Sequence, residues 1–154
     1  MLLRTFAIVF FSCTSLVGLT LVADPSVGAP QRELKRAPII VETAEGDVEL
    51  LPEVAITPIE QEIGMTGRDR SAAVAGMYFP QTKPGIVDIP VSGGSFPVDI
   101  LFVGADGLIK NIQTVGNGRT DVSVRSPGQV SGYLQMAGGM ASRLGIRPGD
   151  RLRT

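Results

Sequence analysis

The run FPVDILFVGADGLIKNI, residues 96–112, sets one carboxylate, Asp99, between Val98 and Ile100. A carboxylate inside an apolar segment can serve as an acid or base, ligate a cation, or accept hydrogen bonds that hold a fold together. Strand alternation sends Val98, Ile100 and Phe102 to one face and Asp99, Leu101 and Val103 to the other. Among Leu101 and Val103, an ionised Asp99 must be paired or hydrogen-bonded, or its pKa rises. Two readings follow. In the structural one, Asp99 accepts N–H bonds from the Gly93-Gly94 loop or pairs with an arginine, Arg68 first. In the functional one, it faces a pocket.

The rest of the chain offers few reactive groups. There is no His, and the one Cys is Cys13, near the N-terminus. Beyond residue 23 the chain therefore has no disulfide, no thiol nucleophile, no His or Cys metal ligand and no Ser-His-Asp triad. What remains is carboxylates, Lys35, Lys83 and Lys110, arginines, tyrosines and methionines. Asp106 and Asp150 read as turn residues, and no spacing brings two carboxylates together for paired acid–base work. Met65, Met77, Met136 and Met140 could suit Cu(I), but four thioethers in a core are ordinary packing. The Ser92-Gly93-Gly94-Ser95 loop could present N–H groups to an anion, yet no helix start or Lys-Ser/Thr pair completes a phosphate loop. No catalytic residue, metal site or cofactor is assigned. Removing residues 1–23 takes out Arg4 and no acid, leaving 13 basic and 15 acidic residues. That balance supplies no field for a phosphate backbone, so nucleic acid is not an expected partner.

The elements that must position these groups are short. Gly 19 and Pro 11 in 154 residues imply many turns. Ile39 to Glu42 can open a first strand, and Glu45-Gly46-Asp47 is a turn. Val48 to Ile56 alternates loosely, and Pro52 demotes it to an edge strand or breaks it in two. Thr57-Pro58-Ile59-Glu60 is the pattern of a capping box with proline at the first helical position, and Gly64 is the stop of a helix over 57–63. Gly76 to Phe79 reads as a short buried strand ended by Pro80, and Ile86 to Val91 as extended chain whose pairing Pro90 limits. Val98–Val103 and Leu108–Val115 make a central hairpin around Asp106-Gly107. Val130 to Met136 is a further strand, Ala137 to Leu144 a second short helix, and Arg151-Leu152 a last short strand. The sum is a mainly β fold, a compact β-barrel or sandwich of short strands with two short helices.

Residues 1–23, MLLRTFAIVFFSCTSLVGLTLVA, place Arg4 before an apolar stretch from Phe6 to Val22. This is the pattern of a secretory signal, with cleavage after Ala23. An uncleaved membrane anchor through residues 6–22 and a lipid attached at Cys13 are the alternatives. All three put the domain outside the cytoplasm, in the periplasm or secreted. Residues 24–38, DPSVGAPQRELKRAP, read as a flexible linker with a solvated RELKR cluster.

Four segments carry a resemblance. They are EVAITPIEQEIGMTGR (53–68), GMYF (76–79), FPVDILFVGADGLIKNI (96–112) and GGMASRLGIRPGDRL (138–152). In order and spacing they resemble the family called domain of unknown function 192, over residues 39–154. The resemblance implies a small, exported, bacterial β-rich domain with no established activity. Where the family carries Trp-Met-Lys-Asn-Thr, this chain reads Pro90-Val91-Ser92-Gly93-Gly94, and the family's acidic residue in a Leu-Glu-Leu strand falls at Gln135. A family polar site built from those groups would leave Asp99, Arg68, Ser92 and Gln135 as its members here.

The leading expectation is a non-catalytic binding or accessory module of the bacterial envelope, whose partner is an envelope protein or a small ligand. The membrane enters only through an uncleaved N-terminal segment. The second expectation is a hydrolase-type enzyme using Asp99 and Arg68, which requires one pocket holding both. A third is a degenerate member kept for its fold.

Overall fold

The computed structural model describes residues 32–91, 95–116 and 122–154. Along the chain come β1 (Ile39–Thr43), β2 (Gly46–Leu50), β3 (Glu53–Val54), α1 (Pro58–Ile63), α2 (Ala72–Ala75), β4 (Met77–Gly85) and β5 (Asp88–Val91). They are followed by β6 (Val98–Val103), β7 (Ile109–Val115), β8 (Val122–Arg125), β9 (Val130–Ala137), α3 (Met140–Arg143) and β10 (Arg151–Arg153). The leader, the first part of the linker, and Ser92, Gly93 and Gly94 lie outside the described residues.

The β6–β7 hairpin forms as its sequence directs. Gly107 takes φ 77°, its N–H reaches the Gly104 carbonyl, and Asp106 Oδ1 accepts the Leu108 N–H at 3.1 Å. β6 pairs on its other side with β9, and β9 with β4, all antiparallel, while β3 joins β4 in parallel. The result is a five-stranded sheet in the order β3-β4-β9-β6-β7.

Both faces of this sheet are covered. On one side Leu101, Val103, Leu134 and Met136 pack against Ile39 and Val41 of β1, Leu152 of β10 and Ala141 of α3. There β1 is the middle strand of a three-stranded sheet, β10-β1-β2. On the other side Met77, Phe79, Ile100, Phe102 and Tyr133 pack against Ile89 of β5 and Val124 of β8, which form a two-stranded sheet. Burying a Phe or Leu side chain contributes about 1.5–3 kcal/mol, so the two clusters supply the main driving force. Met77 and Met136 are core residues on opposite faces of the sheet, one in each cluster.

The mainly β expectation holds, with corrections. The sheets stay open, so the architecture is layered and not a barrel. Among the described residues there are three short helices: α2 is additional to the two expected, and α3 begins at Met140 because β9 continues through Ala137. Pro80 does not end β4. The carbonyl of Tyr78, two residues earlier, points toward β3, accepting the Ala55 N–H, so the ring nitrogen of Pro80 also faces the β3 side, beyond that strand's end. No ladder bond to β9 is lost there. Pro52 does break the chain in two, sending β2 and β3 to different sheets. Residues 32–38 are not a free linker. Ala37 N–H bonds the Pro52 carbonyl, Val54 N–H bonds the Lys35 carbonyl, and Leu34 packs on the core.

Candidate functional site

Asp99 lies on β6 opposite Met136 and Thr114, and is 2% exposed. Its Oδ1 accepts the Thr114 hydroxyl at 2.7 Å and its Oδ2 accepts the Ala141 N–H at 3.1 Å. The second bond explains the first turn of α3. That helix is preceded by Gly139, with φ 83°, which turns the chain out of β9 but has no side chain with which to cap. Asp99 supplies the missing cap from another strand, with the carboxylate at the end of the helix where negative charge is favoured. Asp99 thus accepts hydrogen bonds as in the structural reading, while the Gly93-Gly94 loop named there as donor lies outside the described residues. The bonds come from α3 and β7, and no arginine is among its partners in the described residues. Asp99 also borders a cavity of about 310 Å³ beside Ser142 and Arg147, and Arg147 is paired with Glu45 at 3.2 Å.

Arg68 is elsewhere. Glu53, Met77, Gln135 and Ile100 form one row across the sheet, on the face away from Asp99. Glu53 is 4% exposed, and Arg68 grips it through Nε at 3.2 Å and Nη2 at 2.5 Å. Arg36 adds a contact at 3.6 Å and the Leu34 N–H another at 3.3 Å. Arg68 Nη2 also donates to the Arg32 carbonyl at 2.9 Å. A planar guanidinium on a buried carboxylate is a fixed joint, and breaking such a pair costs about 3–5 kcal/mol. Arg68 and Asp99 thus occupy opposite faces, and the hydrolase reading that needs them in one pocket is overturned.

The joint holds one wall of a larger cavity, of about 560 Å³. The wall is the chain from Gln61 to Asp69. α1 opens it with the foreseen capping box: Glu60 N–H bonds Thr57 Oγ1, and the Glu60 carboxylate accepts the Thr57 and Ile56 N–H groups, which hold its pKa below the usual range. Gln61 Nε2 donates to the Pro80 and Ala55 carbonyls, fastening α1 to the sheet. The floor is the stacked pair Phe79 and Tyr133, with centroids 4.5 Å apart, and Gln135 beside them. Ile89, Pro90, Val91, Val98 and Val115 complete an apolar enclosure. Asp69 at the rim is occupied, accepting the Ala72 N–H and the Ser71 hydroxyl, both of which lower its pKa.

Two groups on the floor are not occupied. Tyr133 is 7% exposed and Gln135 8%, and neither side chain makes a hydrogen bond among the described residues. Three other buried polar side chains among the described residues are satisfied: Glu53 and Asp99 as above, Ser126 between the Val87 N–H and the Gly128 carbonyl. Tyr78 also lacks a partner for its hydroxyl among the described residues, but borders neither cavity. Burial pushes the Tyr133 phenol up to about 12 and raises Tyr78 as well, so both stay protonated at neutral pH. Tyr133 escaped the sequence reading, although it precedes Gln135 by two on a strand and so shares its face.

The family model described as an uncharacterized ACR, DUF192, matches residues 40–154. The chain belongs to the DUF192 family. Two solved structures are similar. One, from Novosphingobium aromaticivorans DSM 12444, is a protein of unknown function with 30% identity and TM-score 0.73, covering 86% of this chain and 94% of its own. The other, from Sinorhizobium meliloti 1021, is described as "a putative transcription regulator", with 28% identity and TM-score 0.73, covering 80% of this chain and 96% of its own. Among curated proteins there is no match. In this DUF192 member Arg68, Gln135, and Pro90 and Val91 of the divergent segment all line the larger cavity, while Asp99 does not. Ser92 lies outside the described residues.

Replacing Asp99 with Ala leaves the Ala141 N–H unpaired in the interior. We expect a loss of about 2–3 kcal/mol in chemical denaturation, and a smaller one for Asp99→Asn, which keeps its acceptor. Equal losses for the two variants would contradict the capping role. The chain has two tyrosines, Tyr78 and Tyr133. Absorbance titration of the native protein should show one phenolate step displaced to about pH 12, from Tyr133, and the other shifted above the ordinary tyrosine value. Because Tyr133 is raised in the folded state, its contribution to stability is complete below the unfolded value of about 10 and is lost as pH climbs to about 12.

Proposed function

We propose that the protein is an exported, non-catalytic binding module of the bacterial envelope, and that the cavity over Phe79 and Tyr133 takes a small ligand. The observation that carries the reading is the pair of buried polar groups, Tyr133 and Gln135, on the floor of that cavity, neither of which has a hydrogen-bond partner among the described residues. Buried polar atoms are almost always satisfied, and leaving one unpaired costs about 1–3 kcal/mol. Two on one cavity floor, unsatisfied by any described residue, favour a bound ligand as their partner. The volume falls in the range of small-molecule sites, about 300–1,000 Å³. A non-catalytic role is supported by the occupation of nearby ionic groups: Glu53 holds Arg68, and Asp69 caps α2. Nucleic acid is disfavoured by 14 basic against 15 acidic residues.

Methyl-detected NMR during titration with pooled small fragments tests the site. Shifts should concentrate on Ile89, Val98 and Val115, and Val98→Phe, which fills the cavity, should remove them while the protein stays folded. Shifts scattered over the outer sheets would defeat the reading. Export rests on the leader pattern, Arg4 followed by Phe6 to Val22. An intact mass of the protein recovered from the envelope fraction should lack residues 1–23, and recovery of the full-length chain from the cytoplasm alone would oppose export.

A further inference from the structure

The chemical character of the cavity narrows what it can hold, given the ligand-binding reading above. Tyr133 and Gln135 sit two apart on β9, on one face, so strand geometry places their Cα atoms about 7 Å from each other. Gln135 brings a carboxamide, which offers both donor and acceptor. Tyr133 brings a hydroxyl, held neutral by burial. Neither can neutralise a charge. Among the described residues the one cation in the lining, Arg68, is spent on Glu53 and the Arg32 carbonyl, and the rim carboxylate of Asp69 is bonded to α2. Glu62, also on the lining, is exposed to water. An ion entering the enclosure would lose hydration with no unspent buried counter-charge among the described residues to replace it. The surrounding walls, Ile89, Val98 and Val115, suit an apolar body.

We infer that the site is selective for uncharged, apolar-bodied molecules carrying a carboxamide or a similar paired donor and acceptor, which Gln135 and Tyr133 engage together. Such a group reciprocates the Gln135 amide edge, and its second acceptor site takes the Tyr133 hydroxyl.

Four probes of one size separate the possibilities: benzamide, benzoate, benzylammonium and toluene, each titrated against the full protein while the methyls of Ile89, Val98 and Val115 are followed. Benzamide should bind at least tenfold more tightly than either ion and more tightly than toluene. Gln135→Leu and Tyr133→Phe should each erase the advantage over toluene without abolishing toluene binding. Having two variants guards against one failing to fold. Toluene and benzamide binding equally would overturn the selectivity and leave the cavity as a ligand site. Benzoate or benzylammonium binding best would likewise overturn it. If none of the four moves these methyls, the inference and the binding reading fall together.

Discussion

A sheet covered on both faces gives its polar side chains no water to turn to, and this constraint organises the molecule. Every polar residue on the inner strands must find a partner within the fold or leave one wanting. Asp99 finds the Ala141 N–H and Thr114, and Glu53 finds Arg68 and Arg36. Ser126 finds backbone on both sides. Tyr78, Tyr133 and Gln135 find no partner among the described residues, and of these only Tyr133 and Gln135 share one face bordered by a cavity.

The two faces carry different tasks. On the Asp99 side, a strand carboxylate anchors a four-residue helix that could not cap itself, closing the three-stranded sheet over the core. On the Glu53 side, the ionic joint with Arg68 and the Gln61 bonds to two carbonyls hold the 61–69 wall at a fixed distance from the sheet. A wall fastened at both ends keeps the space open without a ligand, and a preformed space avoids the cost of ordering a loop on binding. The ionic groups thus build the cavity, and its floor is left neutral.

Much of this was legible from local patterns. Asp106-Gly107 between two apolar runs dictates the hairpin, Thr57-Pro58-Ile59-Glu60 dictates α1, and strand alternation puts Asp99 on the right face. These signals act over a few residues. What escaped depends on distant pairings. Glu53 and Arg68 are fifteen residues apart, and Glu53 sits in a two-residue strand after Pro52, where no periodicity marks it. Residues 32–36 look like solvated linker until β3 offers them hydrogen-bonding partners. α2 is a four-residue turn secured by Asp69, and β8 acquires meaning only when β5 pairs with it. Asp99 and Arg68 looked like a pair because both survive from the family's pattern, and only the sheet's two-sidedness separates them.

The most direct measurement is a high-resolution crystal structure of the protein isolated without refolding, with attention to density over Phe79 and Tyr133. The account predicts a non-protein group hydrogen-bonded to both the Gln135 carboxamide and the Tyr133 hydroxyl. A collapsed space in which both side chains turn to bond protein carbonyls would contradict it.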